Sequence, residues 1–264
     1  MPLRSTKALP QLRLRVFAGP NGSGKSTVIK YVGNSKVNGR IIDFGFYINA
    51  DDIARKLREG VFSFFDFDIA PTNKEFTDTA ITSGLIGDEF DEAIFAKSYS
   101  FSNSTIRLKS EGADERLAQI IADFLRKRLL LEKKKFSFET VFSHSSKLAI
   151  MRDAAKAGYK VYLYFVSTES PGINKSRVLQ RTAKGGHNVP PDKIESRYFR
   201  SLGLLFEATQ IAYQSFFFDN SVDGSESKMF AHFKVVDGKK KWDKIRKKDV
   251  PNWFKKYYSL KVKK

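Results

Sequence analysis

The segment at residues 19–27 restricts the fold more than any other part of the chain. It satisfies the pattern G-x-x-x-x-G-K-[ST] and comprises Gly19, Pro20, Asn21, Gly22, Ser23, Gly24, Lys25, Ser26 and Thr27. Residues 12–18 alternate apolar and basic side chains, which predicts a strand, and residues 26–32 predict a helix. A glycine-rich turn between a strand and a helix is typical of a phosphate-binding loop, or P-loop. The sequence therefore predicts an α/β fold of the P-loop NTPase type, with a parallel sheet flanked by helices.

The residue types of the P-loop suit a bound triphosphate. Glycines allow successive backbone N–H groups to turn toward phosphate oxygens, and the following helix presents its positive N-terminal end. We expect the Lys25 ammonium to reach the β- and γ-phosphates, the Ser26 hydroxyl to ligate Mg²⁺, and Thr27 to lie near the α-phosphate. The loop alone predicts nucleotide binding and does not distinguish a motor, a switch, an ATPase or a kinase.

Strands alternate with helices along most of the chain, as in a sheet covered by helices. Four more strands are predicted at residues 46–49, 136–138, 159–166 and 216–218. Further helices are predicted at residues 50–57, 116–131, 147–157, 174–182 and 191–212. We expect the five strands to form one sheet. The predicted organisation is one domain at residues 1–238, with an insertion at about 59–115, followed by a basic C-terminal extension at 239–264.

Charge is distributed unevenly along the chain. The net charge is +18, from 47 Lys and Arg against 29 Asp and Glu. Residues 239–264 contain twelve basic and two acidic residues, whereas residues 59–115 contain twelve acidic and four basic residues. A solvated basic face is the favoured interpretation of the extension, and the alternatives are a polyanion-binding tail or docking onto the acidic insertion.

Composition also excludes several classes of site. The chain contains no cysteine and only three histidines, which excludes disulfides and thiolate metal sites and leaves no zinc constellation. The N-terminus lacks the apolar region of a signal peptide, and no stretch of about 18 uncharged apolar residues follows. We therefore expect a cytoplasmic protein without a membrane span.

The remaining motifs favour a small kinase. No N-K-x-D pattern stands where a GTPase would need it, and no strand ends in the paired acids of motor ATPases. A kinase requires a carboxylate that faces the acceptor hydroxyl and a mobile lid that brings arginine to the phosphates. The sequence offers a candidate for each part.

Asp51 is the candidate carboxylate. It follows the predicted strand at 46–49, at the carboxyl edge of the sheet, where ligands of open α/β folds bind. There a carboxylate can orient a hydroxyl and accept its proton during phosphoryl transfer. Glu139 and Thr140 occupy the equivalent position after the strand at 136–138 and are candidates for binding the acceptor. The alternative is that Asp51 or Asp52 caps the following helix and that Glu139 is an ordinary acid at a strand end.

The candidate lid is the helix predicted at residues 174–182. Arg177, Arg181 and Lys184 are spaced three or four residues apart, so they line one helical face. Gly185 and Gly186 supply a hinge after this helix. An exposed basic face is the alternative, but planar guanidinium groups are well suited to hold phosphate oxygens.

These motifs together resemble the zeta toxin family of P-loop kinases. The resemblance rests on residues 19–27, 48–51 (I-N-A-D), 138–140 (F-E-T), 177–178 (R-V) with Arg181, 185–190 (G-G-H-N-V-P), 197–198 (R-Y) and 219–221 (D-N-S). It implies ATP- and Mg²⁺-dependent phosphorylation of a small acceptor, which in the founding toxins is UDP-N-acetylglucosamine. It also allows an antitoxin-like protein partner.

The resemblance implies a role for each matching residue. Asp51 corresponds to the base for the acceptor hydroxyl, Glu139 to a carboxylate near the acceptor, and Lys25 to the phosphate lysine. Arg177 and Arg181 correspond to the lid arginines, with Arg197 as an alternative to Arg181. A polynucleotide or nucleoside kinase, supported by the charge of +18, and a non-catalytic nucleotide-binding module are the other hypotheses.

Overall fold

The computed structural model describes residues 11–87, 89–185, 189–224 and 227–262. The strands are β1 (Arg13–Ala18), β2 (Lys36–Val37), β3 (Arg40–Ile41), β4 (Phe46–Ile48), β5 (Val61–Ser63), β6 (Tyr99–Ser102), β7 (Thr105–Leu108), β8 (Phe136–Thr140), β9 (Lys160–Ser167), β10 (Gln214–Asp219), β11 (Lys228–Val236) and β12 (Lys239–Trp242). The helices are α1 (Lys25–Asn34), α2 (Ala50–Glu59), α3 (Asn73–Ile81), α4 (Glu92–Ser98), α5 (Asp114–Leu131), α6 (Ser146–Lys156), α7 (Pro171–Ala183), α8 (Pro191–Gly203) and α9 (Leu205–Ile211).

The chain divides into two compact units. Unit 1 comprises the described residues up to Asp43 and from Val141 onward, and unit 2 comprises residues 44–140. Unit 1 contains the strands β12, β11, β10, β9 and β1 in that spatial order. The pairs β1–β9 and β9–β10 are parallel, whereas β10–β11 and β11–β12 are antiparallel. The fold class is the predicted α/β class, with mostly parallel strands flanked by helices.

Unit 2 contains two small sets of strands and an aromatic core. Strand β4 pairs with β8 in parallel, and β5, β7 and β6 form an antiparallel sheet. The core of this unit includes the fully buried rings of Phe62, Phe64 and Phe76. Ring centroids lie 5.2 Å apart for Phe62 and Phe64 and 5.8 Å apart for Phe64 and Phe76, which is normal for aromatic packing. The acidic segment predicted as an insertion therefore contributes its rings to the core of unit 2, where Phe64 and Phe76 also pack against Phe124 of α5.

Two sequence predictions about unit 1 need correction. The helix predicted at 191–212 is two helices, α8 and α9, which meet at Leu204 directly after Gly203. Glycine is costly in a helix interior, by about 1 kcal/mol relative to alanine, and this favours a break there. Strands β11 and β12 were not predicted, and in β12 the lysines of residues 239–241 obscured the pattern of a strand.

The basic C-terminal segment packs into unit 1. The predicted boundary between residues 238 and 239 falls within the β11–β12 hairpin. Beyond it, Trp253, Phe254 and Tyr258 are buried. The Trp253 indole Nε1 donates to Asp219 Oδ1 at 2.9 Å, and the Glu169 carboxylate accepts from the backbone N–H groups of residues 252 and 253 at 2.7 and 3.3 Å. Its aromatic side chains therefore anchor this segment, while most of its lysines face solvent. Among the described residues, no helix is long and apolar enough to cross a membrane.

Candidate active site

The P-loop adopts a backbone path that only glycine permits at three positions. Gly19, Gly22 and Gly24 have φ values of +147°, +73° and +90°, which L side chains rarely adopt. A Cβ atom would lie 2.0 Å from the Val166 carbonyl oxygen at Gly19 and 2.1 Å from the Asn220 amide nitrogen at Gly24. The loop therefore packs so closely against other parts of unit 1 that a side chain is excluded at these positions.

The functional side chains of the P-loop lie at the start of α1, which follows Gly24 directly. Lys25 is 8% exposed, and its ammonium Nζ donates to the Pro20 carbonyl oxygen at 3.1 Å. Ser26 and Thr27 are exposed. The structure thus places the predicted phosphate lysine and the predicted Mg²⁺ ligand in consecutive positions of the first helical turn. The helix dipole favours anions at this end.

Two asparagines from distant parts of the sequence support the loop. Asn220, which follows β10, donates from its side-chain amide to the Ser23 carbonyl oxygen at 2.9 Å. Asn174, which is fully buried in α7, donates from its amide to the Asn21 carbonyl oxygen and accepts from the Thr168 hydroxyl. Sequence reasoning did not assign a function to Asn174. Its position near the start of the predicted lid helix was the only available signal.

Several buried polar atoms at the loop have no hydrogen-bond partner within the part of the chain that the structure describes. They are Asn21 Oδ1, Ser23 Oγ and Ser227 Oγ. Buried polar groups are nearly always paired, so such a cluster indicates a site that a ligand or water completes. A triphosphate with its hydrated metal ion fits this environment, because the loop and the first turn of α1 offer a buried ammonium at Lys25 and an exposed hydroxyl at Ser26.

The predicted lid residues lie on α7, close to the loop that follows β10. Arg177 donates from Nε to Asp223 Oδ1 and from Nη1 to the Asn220 carbonyl oxygen, both at 2.7 Å. Its side chain is 18% exposed. Arg177, Arg181 and Lys184, together with Gln180, line an open cavity of about 360 Å³. The predicted common face of these cations is therefore present. Arg177 also connects α7 to the residue that supports Ser23.

The proposed hinge lies partly outside the described residues. Gly186, His187 and Asn188 of the G-G-H-N-V-P motif belong to the part that the structure does not describe. Gly185 follows α7 with a φ of +81°, where glycine is favoured. Val189 packs in a buried cluster with Val178 of α7 and Ile194 of α8, which brings the two helices together.

In unit 2, Asn49 connects the helix that carries Asp51 to Glu139. Its side-chain oxygen accepts from the Asp51 backbone N–H at 2.9 Å, which caps α2. Its amide nitrogen donates to Glu139 Oε2 at 3.3 Å. Asn49 therefore caps α2, which is the role that the alternative interpretation gave to Asp51 or Asp52. Asp51 is exposed, and Asp52 forms an ion pair with Arg55 at 3.5 Å.

Glu139 is held by a second donor, Tyr47. The Tyr47 hydroxyl donates to Glu139 Oε2 at 3.1 Å. Burial, reinforced by the nearby Glu139 carboxylate, raises the pKa of Tyr47 well above its ordinary value. Tyr47 therefore remains protonated and acts as a donor, which fixes one oxygen of Glu139. Thr140 follows at the end of β8 and is half-buried. The contact from Tyr47 was not predicted, because the two residues are 92 positions apart.

Comparison with known proteins identifies similarity in structure only. No protein family model matches the sequence, and no curated protein matches it. A chain in the crystal structure of the AvrRxo1-ORF1:-ORF2 complex has a TM-score of 0.50 at 14% identity, over 88% of this chain and 60% of that chain. At this identity the similarity shows the fold alone. Together with the loop between β1 and α1, it supports the P-loop kinase-like α/β fold.

Two further solved structures are less similar. The AvrRxo1-ORF1:AvrRxo1-ORF2 complex with ATP has a TM-score of 0.46 at 15% identity, over 88% of this chain and 60% of that chain. A chain of the PezAT chromosomal toxin-antitoxin system of Streptococcus pneumoniae has a TM-score of 0.46 at 15% identity, over 82% of this chain and 72% of that chain. This chain thus spans only 60% of the AvrRxo1 chains that it matches.

Proposed function

We propose that this protein is an ATP-dependent kinase that transfers the γ-phosphoryl group to a hydroxyl of a small acceptor. The observation that carries this proposal is the P-loop of unit 1. In this loop, a side chain is excluded at Gly19, Gly22 and Gly24. Lys25 and Ser26 begin the helix that follows the loop. Buried polar atoms of the loop have no hydrogen-bond partner among the described residues. This arrangement suits a triphosphate better than a single carboxylate or sulfate, because it offers donors along several residues.

In the proposed reaction, the acceptor oxygen forms a bond to the γ-phosphorus while the bond from that phosphorus to the β–γ bridging oxygen breaks. ADP is the leaving group, and the proton of the acceptor hydroxyl passes to the Asp51 carboxylate. Lys25 holds the β- and γ-phosphates, and Arg177 and Arg181 stabilise the transferring group. Mg²⁺, held through the Ser26 hydroxyl, supplies charge neutralisation of the phosphates when bound.

We further propose that Glu139 and Thr140 bind the acceptor, and that the acceptor is a nucleotide sugar such as UDP-N-acetylglucosamine. The support is the hydrogen bonding of Glu139 in unit 2. One of its oxygens accepts from Tyr47 and Asn49, so the carboxylate has a fixed orientation in which it can bind sugar hydroxyls. Asp51 is placed by the same asparagine.

A panel of acceptors with γ-labelled ATP tests this assignment. The panel contains nucleotide sugars, nucleosides and oligonucleotides with a free 5′-hydroxyl, and Asp51→Asn is the matched negative control. Label in a nucleotide sugar is the expected result. Label in a nucleoside or oligonucleotide would replace the acceptor class and favour the alternative polynucleotide or nucleoside kinase. Hydrolysis of ATP with no labelled acceptor in the panel or in a metabolite extract would contradict the kinase proposal.

A protein partner of the antitoxin type is also proposed. Its support is that the similar chain was solved in a complex of two proteins, AvrRxo1-ORF1 and -ORF2. Expression of the chain alone in a growth assay, compared with Lys25→Ala, tests whether activity is harmful and thus requires neutralisation. Equal growth of the two strains would count against such a partner.

A further inference from the structure

The two faces of the unit 1 sheet differ in composition. One face is apolar, and Val16, Leu163 and Phe233 on it have no exposed surface. The other face presents cations and aromatic rings near the amino ends of β1, β9 and β10. We call it the cation–aromatic face, and it consists of Arg13, Arg15, Lys160, Tyr162, Tyr213, Gln214, Lys234, Lys239 and Lys241. Strands of this fold class are usually apolar on both faces, so this surface needs an explanation.

Strand register places these side chains in rows across the sheet. The central row runs through directly paired residues: Arg15 with Tyr162, Tyr162 with Gln214, Gln214 with Lys234, and Lys234 with Lys241. Residues that are paired in this way share one face. In the next row, Arg13 pairs with Lys160 and Lys239 with Val236. The rows lie near the start of β1, whereas the P-loop follows its end.

The cations of this face lie on its aromatic rings. The Arg15 guanidinium is 4.9 Å from the centre of the Tyr162 ring. The Lys160 ammonium lies 4.7 Å from the centre of the Tyr213 ring, and the Lys234 ammonium lies 6.0 Å from the same ring centre. The Tyr162 and Tyr213 rings meet edge to face at 5.8 Å. Lys234, Lys239 and Lys241 are exposed, whereas both tyrosines, Arg13 and Lys160 are half-buried and Arg15 is buried.

A stack of rings borders the rows on the side toward the P-loop. Ring centres are separated by 4.7 Å from Phe17 to Tyr164, 4.7 Å from Tyr164 to Phe216, and 4.3 Å from Phe216 to His232. His232 Nδ1 lies 2.9 Å from Asp243 Oδ2, and its Nε2 lies 3.2 Å from Gln214 Oε1. This stack spans four strands and gives the surface a rigid, flat support.

Protection of a sheet edge explains only part of this surface. Lysines on an edge strand such as β12 prevent pairing with other chains. However, Lys160 and Tyr162 lie on β9, which pairs with β1 on one side and β10 on the other and so has no edge to protect. Exposed lysines next to half-buried aromatic rings on a sheet instead suit single-stranded nucleic acids, whose phosphates are bound by cations and whose bases stack on rings.

We propose that the cation–aromatic face binds single-stranded nucleic acid. The exposed lysines hold phosphates, and Tyr213 stacks on a base as Lys160 and Lys234 leave its ring for the phosphates. The net charge of +18 supports this choice of partner. The function is separate from phosphoryl transfer, since it requires neither ATP nor the P-loop.

Fluorescence anisotropy with a labelled ten-nucleotide oligouridine, without ATP, tests the phosphate contacts. The variant Lys234→Ala/Lys239→Ala/Lys241→Ala is compared with Lys97→Ala/Lys156→Ala/Lys193→Ala, which removes the same charge from exposed positions elsewhere. Plotted as log K against log [KCl], the first variant should lower the magnitude of the slope by about 2, because each lost phosphate contact contributes about 0.7 for single strands. The control should keep the slope of the unmodified protein.

Tyr213 tests the stacking contact. Tyr213→Leu should weaken binding by about tenfold, whereas Tyr213→Phe should retain it, because the ring rather than the hydroxyl stacks on a base. Equal losses in the two triple variants would show a general charge effect and overturn the proposal. Absence of oligonucleotide binding would also overturn it, as would tight binding only to vesicles that contain phosphatidylserine.

Discussion

The P-loop of unit 1 and the Asp51–Glu139 group of unit 2 are built in different ways. In the P-loop, the backbone path determines the site, and a Cβ atom at Gly22 would lie 2.6 Å from the Asn174 carbonyl oxygen. In unit 2, side chains determine the site, since Asn49 and Tyr47 orient Glu139 by hydrogen bonds. A backbone-built site tolerates few substitutions at its centre, whereas a side-chain-built site should lose activity in smaller steps.

The largest effect is expected for Lys25→Ala. Lys25 is the buried cation of the P-loop, so its removal should abolish phosphoryl transfer and greatly weaken binding of MgATP. Isothermal titration calorimetry measures the affinity, and Lys30→Ala, exposed on the same helix, is the control. Unchanged MgATP affinity in Lys25→Ala would contradict the assigned role of the loop.

Arg177→Ala should reduce kcat by about 10³ while ATP affinity changes little, as for an arginine that mainly contacts the transition state. Arg177→Lys should restore little, because a point charge does not reproduce the planar guanidinium. Steady-state kinetics with a matched acceptor distinguishes kcat from KM. If Arg177→Ala raised only the KM for ATP, its bonds to Asp223 and Asn220 would be purely structural.

Asp51→Asn should retain ATP binding and lose turnover by about 10² or more, the usual contribution of a general base. The adjacent Asp52→Asn is the control, since Asp52 pairs with Arg55 in solvent. The readout is kcat for both variants under saturating ATP. Equal losses would indicate that the two acids support α2 rather than the reaction.

Asn49→Ser should have the smallest effect, a loss of about fivefold in kcat/KM for the acceptor. Serine can still cap α2, so the helix is retained. The hydrogen bond from Asn49 to Glu139 is lost, and such a bond contributes about 1 kcal/mol. Thermal unfolding checks that stability is preserved, and the KM for ATP should not change. An unchanged kcat/KM for the acceptor would show that Glu139 needs no orientation by Asn49.

The sequence predicted those parts of the site that depend on neighbouring residues. Gly19, Gly24 and Lys25 could be found because one short loop contains the whole pattern. The hydrogen bonds that support the loop could not be predicted in this way. Asn174 is 153 residues from its partner in the loop, and Asn220 is 197 residues from its partner. Hydrogen bonds between such distant positions leave no periodic signal.

The same limit applies to the fold. Strand β1 was predicted from the alternation of apolar and basic side chains, and β9 and β10 from their apolar and aromatic residues. The antiparallel sheet of unit 2 was not predicted, because its short strands are joined by serine-rich turns. In β12, three successive lysines gave no strand-like alternation in the sequence. The strand nevertheless packs inward through Trp242, whose ring centre lies 4.9 Å from that of Phe233.

The bonds from Trp253 and Glu169 have a consequence for the timing of biosynthesis. The ribosome makes the P-loop first, at residues 19–27. Strand β9, the parallel partner of the strand β1 that precedes the loop, follows more than a hundred residues later. Asn220, which supports the loop, and the Trp253 indole, which donates to the adjacent Asp219, are made later still. Because distant pairings form only after both segments have emerged, the nascent chain carries the loop long before the loop has its supports. We therefore expect nucleotide binding to begin only after residue 253 has emerged from the ribosome.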